Sequence, residues 1–150
     1  MKQINLIIVD DHPMVRDGIA AMLRSDESIN IVGEAANQNE LLEILHQQQP
    51  DLLLLDINLP GASGIEICSD ITTDFPDIKC IMLSMHIKEE FIFSALKAGT
   101  KGYIPKTAKK KELIEAIHAV AEGKEYFSPA ISDIILKSYI RQARDKDESS

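Results

Sequence analysis

Ile4-Asn5-Leu6-Ile7-Ile8-Val9-Asp10-Asp11 decides how this chain folds. It is a nearly unbroken apolar run of strand length that stops on two acids. A strand apolar on both sides is one covered on both faces, as in a parallel sheet flanked by helices. The pattern returns three times. Leu52-Leu53-Leu54-Leu55 stops at Asp56, Ile81-Met82-Leu83 at Ser84, and the short Gly102-Tyr103-Ile104-Pro105 at Lys106. If these strands are parallel, their C-terminal ends share one edge of one sheet. That edge gathers three carboxylates, a hydroxyl and an ammonium. Carboxylates crowded in this way favour protonation unless a cation neutralises them. The pattern therefore predicts a divalent metal and a reaction that moves negative charge.

Helical signals fill the gaps between the runs. Pro13 suits a first helical turn, and Val15, Ile19, Met22 and Leu23 make an apolar stripe behind it. Ile29 to Ala36 is a further strand, interrupted by Gly33 and Glu34. Asn39 is expected to cap the next helix, with Leu41, Leu42 and Leu45 as its buried face. Asn58 to Gly64 is a loop by composition, and Ile65 to Ile71 continues as a helix ended ahead of Pro76. Phe91, Ile92, Ala95 and Leu96 mark a helix closed by Gly99, and Leu113 to Ala121 one stopped near Gly123. Strict alternation of this kind predicts an α/β fold, a doubly wound parallel sheet of five strands. Ligands in such folds bind outside the carboxyl ends of the strands, where the strand order reverses. Tyr126 to Pro129 reads as a turn. Ile131, Ile134, Ile135, Tyr139 and Ile140 then recur at helical spacing before a charged tail, Arg141 to Ser150, expected to fray.

The chain has 150 residues, 45% of them hydrophobic and 27% charged, ordinary values for one soluble globular domain. No apolar stretch is long enough to span a membrane, and no signal-peptide pattern opens the chain, so a cytoplasmic location is expected. Cys68 and Cys80 have no metal or redox spacing and read as small buried hydrophobes. A net charge of −8 disfavours nucleic-acid phosphates. The lysines at 101, 106 and 109–111 are a local exception, read as a solvated helix start plus one functional lysine. His12 and His86 fall on the rim of the predicted crevice as solvated loop residues, and His46 and His118 on helix surfaces.

Three acids without a matching His/Cys cluster suit Mg2+ better than Zn2+. With Ser84 and Lys106 added, the set resembles the receiver domain of bacterial two-component response regulators. The pair Asp10-Asp11, the context Leu55-Asp56-Ile57-Asn58-Leu59-Pro60-Gly61, Gly64, Ser84 and Gly102-Tyr103-Ile104-Pro105-Lys106 match in type and order, from about Ile4 to Gly123. Leu83-Ser84-Met85-His86 and Ala98-Gly99-Thr100-Lys101-Gly102-Tyr103 are most similar to the NarL/FixJ, or LuxR-type, subfamily. The resemblance implies a flavodoxin- or CheY-like (βα)5 fold. It implies Asp56 as phosphoryl acceptor, charged by a sensor histidine kinase. Mg2+ would be held by Asp11, Asp56, the Asn58 backbone carbonyl and Asp10, the last directly or through water. Lys106 would pair with Asp56 and then with a phosphoryl oxygen, Ser84 would donate to another, and Tyr103 would turn inward as the switch aromatic.

The resemblance also sets expectations about organisation. Residues 1–124 would be the receiver and 125–150 a linker or helix toward a helix-turn-helix DNA-binding domain outside this chain. The output would be transcription, DNA would be met only through that domain, and phosphorylation would favour a homodimer. No membrane partner and no enzymatic turnover beyond self-phosphorylation and autodephosphorylation are expected. Two departures stand out: Thr107 follows Lys106 where many receivers carry proline, and Met85 follows Ser84 where a smaller residue is frequent. Two further readings of the same acids stay open here, a Mg2+-dependent phosphatase or phosphotransferase for small molecules and an interaction module that works without phosphorylation.

Overall fold

Each apolar run becomes a strand because both of its faces find cover. In the computed structural model, which describes residues 3–148, six strands and six helices alternate. They are β1 Ile4–Val9, α1 Pro13–Leu23, β2 Ile29–Ala35, α2 Gln38–Gln47, β3 Leu52–Asp56 and α3 Gly64–Asp74. After them come β4 Lys79–Ser84, α4 Glu89–Ala98, β5 Gly102–Pro105, α5 Lys110–Ala121, β6 Tyr126–Phe127 and α6 Pro129–Glu148. All strand pairs are parallel, in the order β2-β1-β3-β4-β5-β6. The chain runs outward from β1 to β2 and then returns to lay β3 on the other side of β1. The strand order thus reverses between β1 and β3.

Side chains leave a strand alternately to either face. Ile7, Val9, Leu53, Leu55 and Met82 join one core with α2, α3 and α4. Leu6, Ile8, Leu52, Leu54 and Ile81 join a second core with α1 and α5. Burying a side chain of this size is worth roughly 1.5–3 kcal/mol relative to leaving it in water. Strands sandwiched this way have little freedom to slip, because a one-residue shift would exchange the two cores.

Two expectations need correction. The sheet has six strands, not five: Tyr126 and Phe127, read as a turn, pair with Gly102 and Tyr103. Two residues are too short to show a period in sequence, and the pairing exists only because β5 leaves an open edge. The cap of α2 is Asn37, not Asn39. Asn37 is extended and its Oδ1 accepts from the Glu40 N–H at 2.9 Å, while Glu40 Oε1 reaches back to the Ala36 N–H at 2.8 Å. The pair resembles a capping box with its return bond one residue ahead of the cap, and Asn39 already lies inside the helix.

The segment expected to fray from Arg141 is helical through Glu148, and the remaining two residues lie outside those described. Ile131 of α6 is fully buried in the same core as α4, and Arg141 meets Glu89 of α4. β6 and α6 therefore extend the sheet and one of its two cores.

Candidate functional site

Asp10 is the first residue past β1 and Asp56 the last of β3, so the strand-order reversal sets the two acids side by side. Both are nearly completely buried, at 1% exposure each. Lys106, just past β5, extends its ammonium to both. Its Nζ lies 2.8 Å from Asp10 Oδ2 and 3.0 Å from Asp56 Oδ2, and the lysine side chain is itself only 11% exposed. Asp11 stands at the mouth, more open to solvent.

Two carboxylates and one ammonium cannot all be content in so dry a place. Burial opposes ionisation of Asp10, but Lys106, the His12 N–H and the His12 ring outweigh it and hold this carboxyl below its ordinary range. Asp56 goes the other way. Burial pushes its carboxyl up, Asp10 adds repulsion, and the help from Lys106 and the Asn58 N–H does not cancel them. Burial also disfavours charge on Lys106, yet its two carboxylate partners carry the ammonium above its usual value. The acid that stays ionised and the acid whose ionisation is strained are thus distinguished by their surroundings.

Oδ2 of Asp10, Oδ2 of Asp56 and Oδ1 of Asp11 are buried, and no well-aligned hydrogen bond reaches them. Lys106 answers the first two as an ion pair alone. Ligand atoms of Asp10, Asp11, Asp56 and His12 lie within 4.8 Å of one another. Hard oxygen donors with unspent lone pairs, converging on a small volume, fit a hard divalent cation of the Mg2+ type. Asn58 turns its N–H onto Asp56 Oδ1 at 3.1 Å.

The surrounding shell is built by residues that sequence reasoning left aside. His12, expected on the rim, is indeed 64% exposed, but its Nδ1 lies 3.2 Å from Asp10 Oδ1 and 3.1 Å from Asp11 Oδ1. Its backbone N–H also donates to Asp10 Oδ1 at 2.8 Å. Adjacency to the acid pair was the available signal. Arg16, on the first turns of α1, donates from Nη1 to the Asp10 carbonyl at 2.6 Å and from Nε to Glu34 Oε1 at 3.1 Å. Glu34, which interrupts the apolar pattern of β2, holds this arginine in place. Gly64 abuts Asp56 directly, since a Cβ there would sit 2.0 Å from the Asp56 carbonyl oxygen.

Ser84 ends β4 and Tyr103 stands on β5 opposite Met82, and neither is joined to the acids. The buried Ser84 hydroxyl donates to the His86 carbonyl at 2.7 Å and accepts from the His86 N–H at 3.1 Å. Tyr103 is fully buried on β5, turned into the core. Burial pushes its phenol up, partly offset by the nearby Ser84 hydroxyl. That hydroxyl is committed to His86, so the tyrosine Oη has no well-formed hydrogen bond. Met85 projects outward at 60% exposure, and the Lys106–Thr107 bond is trans.

The profile of the response regulator receiver domain matches residues 6–118, a span that holds every residue just described. The chain belongs to that family. The transcriptional regulatory protein DegU of Brevibacillus brevis is 31% identical over 148 residues, covering 99% of this chain and 63% of DegU. This receiver chain therefore spans less than two thirds of that relative's length. Among solved structures, a LuxR-family two-component response regulator from Aurantimonas sp. SI85-9A1 superposes with a TM-score of 0.87 at 30% identity, covering 93% of this chain and 99% of that one. The isolated receiver domain of RcsB from Salmonella enterica serovar Typhimurium, solved in the presence of phosphomimetic BeF3-, gives a TM-score of 0.82 at 29% identity over 89% of this chain and 99% of that one. Membership in a family of response regulators removes support from the small-molecule phosphatase reading. No helix among the described residues is long and apolar enough to cross a membrane.

Proposed function

We propose that Asp56 accepts a phosphoryl group from a phosphorylated histidine of a sensor kinase. One observation carries this reading: Asp56 is a buried carboxylate whose ionisation is strained, beside an ionised Asp10 and paired to Lys106 at the strand-order reversal. An Asp56 oxygen attacks phosphorus, the P–N bond to the imidazole breaks, and an acyl phosphate forms on the chain. Lys106 is already within reach of both acids, so it can pass from the Asp56 carboxylate to a phosphoryl oxygen without a large movement. Asp10 and Asp11, with Asp56 and the Asn58 carbonyl, would hold Mg2+. When bound, this cation supplies the positive charge that lets two anions approach.

Ser84 reads the result. Donation to a phosphoryl oxygen requires its hydroxyl to leave the His86 carbonyl, which frees the β4–α4 loop. Tyr103 lies beside Ser84, and its carbonyl accepts the Ser128 N–H at the start of α6, so a movement there is passed to the C-terminal segment. Residues 1–124 are the phosphorylated unit and 125–150 the segment that carries its state onward. The whole protein acts in the cytoplasm and regulates transcription, a reading supported by the likeness to a transcriptional regulatory protein. Phosphorylation is stoichiometric self-modification rather than turnover of a substrate.

The test is intact mass after incubation with Mg2+ and acetyl phosphate or the cognate kinase. The parent gains one phosphoryl group and Asp56→Asn gains none. Absence of any adduct on the parent with either donor would sink the proposal.

A further inference from the structure

Asp10 and Asp11 are joined by one peptide group, and that group is gripped from outside the acid cluster. A peptide is planar, so its carbonyl, its N–H and the two α-carbons it links turn together. Whatever fixes the Asp10 carbonyl therefore fixes how the two carboxylates set off from the chain. The Asp10 carbonyl accepts from Arg16 Nη1 at 2.6 Å, and the Asp10 N–H donates to the Ala35 carbonyl at 2.9 Å.

Arg16 can hold that carbonyl only if it is itself held. Its side chain is 19% exposed, and its Nε lies 3.1 Å from Glu34 Oε1. Glu34 is the penultimate residue of β2, next to the Ala35 that takes the Asp10 N–H. α1 supplies the arginine from its first turns, where the Arg16 N–H returns to the His12 carbonyl at 3.1 Å. One guanidinium thus bridges α1, the end of β1 and the end of β2. Its rigid fork of donors allows this, and the single ammonium of a lysine does not reproduce it. So open an ion pair adds little to stability, and its consequence lies in the geometry it imposes.

We propose that Arg16, braced by Glu34, is a positioning residue for the divalent cation: it sets the Asp10–Asp11 peptide so that both carboxylates converge, without touching the ion. This role presupposes that Asp10 and Asp11 hold the cation. Groups that orient metal ligands change metal affinity by roughly 10- to 100-fold when removed. Charge alone would do the reverse for Arg16, because deleting a positive charge beside a cation site tightens cation binding. Orientation and charge therefore act on the affinity in opposite directions.

The experiment is a Mg2+ titration of the full chain without phosphodonor, read by NMR from the amide shifts of Asp11 and His12. Arg16→Met is expected to weaken Mg2+ binding about ten-fold or more. Arg16→Lys, which keeps the charge and loses the fork, should weaken it to nearly the same extent. Glu34→Gln should weaken binding in the parent and do nothing further in Arg16→Met, since its effect passes through the arginine. Thermal melts in chelator follow the fold separately, and Glu34→Gln carries the test should Arg16→Met fail to fold. Unchanged or tighter Mg2+ binding in Arg16→Met, parent-like binding in Arg16→Lys, or equal losses from Glu34→Gln in both backgrounds would overturn the proposal. A parent that binds no Mg2+ at all would overturn the cation reading itself, and the positioning role with it.

Discussion

Asp10 and Asp56 share a lysine yet differ in what folding does to their protons. The Asp10 carboxyl is held below its ordinary value, so its ionised form stabilises the fold above that value. This contribution disappears as pH falls through the lowered folded value. The Asp56 carboxyl is raised, so the fold is penalised as pH climbs from the ordinary carboxylate value through the raised one. Asp56→Asn is therefore expected to melt at or above the parent's Tm at pH 7 in chelator, with the gap closing toward pH 4. A Tm clearly below the parent's at pH 7 would contradict the strain assigned to this residue. Lys106→Met leaves two buried carboxylates without their cation. Breaking a buried pair from one side costs about 3 kcal/mol or more, and urea titration at pH 7 should show a loss of that size. Both freed carboxyls would then have folded values above their unfolded ones, so the deficit should shrink as pH is lowered toward 5. A deficit that grows instead would place the cost elsewhere.

The six strands divide into two kinds at the scale of elements. β1, β3 and β4 are legible because each is an apolar run covered on both faces. β6 was not legible, because two residues carry no periodicity and its pairing depends on the edge that β5 offers. The same holds for the α2 cap, where Asn37 and Asn39 are equivalent by composition and only the extended backbone at Asn37 selects it. α6 looked ambiguous because its stripe lacks a partner in the linear sequence. Its docking makes a prediction. Ile131 is fully buried against the core of α4, so Ile131→Ala should cost about 2–4 kcal/mol. Chemical denaturation should show one cooperative transition shifted to lower denaturant. A neutral Ile131→Ala would mean that α6 is not held there in solution.

At the scale of the whole molecule, the doubly wound topology turns four unrelated strand ends into one site. The acids at positions 10, 11 and 56 come from stretches more than forty residues apart, and buried oxygens remain there without aligned donors. A cation that fills this site binds the folded chain and not the unfolded one. Tm should therefore rise with Mg2+, the stabilisation growing by about 1.4 kcal/mol for each tenfold increase beyond the dissociation constant. Scanning calorimetry over a Mg2+ series would show this, and Asp11→Asn should flatten the dependence. A Tm of the parent that ignores Mg2+ would remove the cation from the site.

The residue types by themselves determined the two-faced strands, the edge on which Asp10, Asp11, Asp56, Ser84 and Lys106 fall, and the charge chemistry they imply. Periodicity and strand-end position are local properties, so they survive being read one residue at a time. Only the tertiary structure decided which acid is strained, that Ser84 is held by His86, and that His12, Arg16 and Gly64 support the site. It also decided that a sixth strand extends the sheet. Each of these depends on distances between segments far apart in the chain, where burial and Coulomb interactions are set by three-dimensional neighbours and not by order.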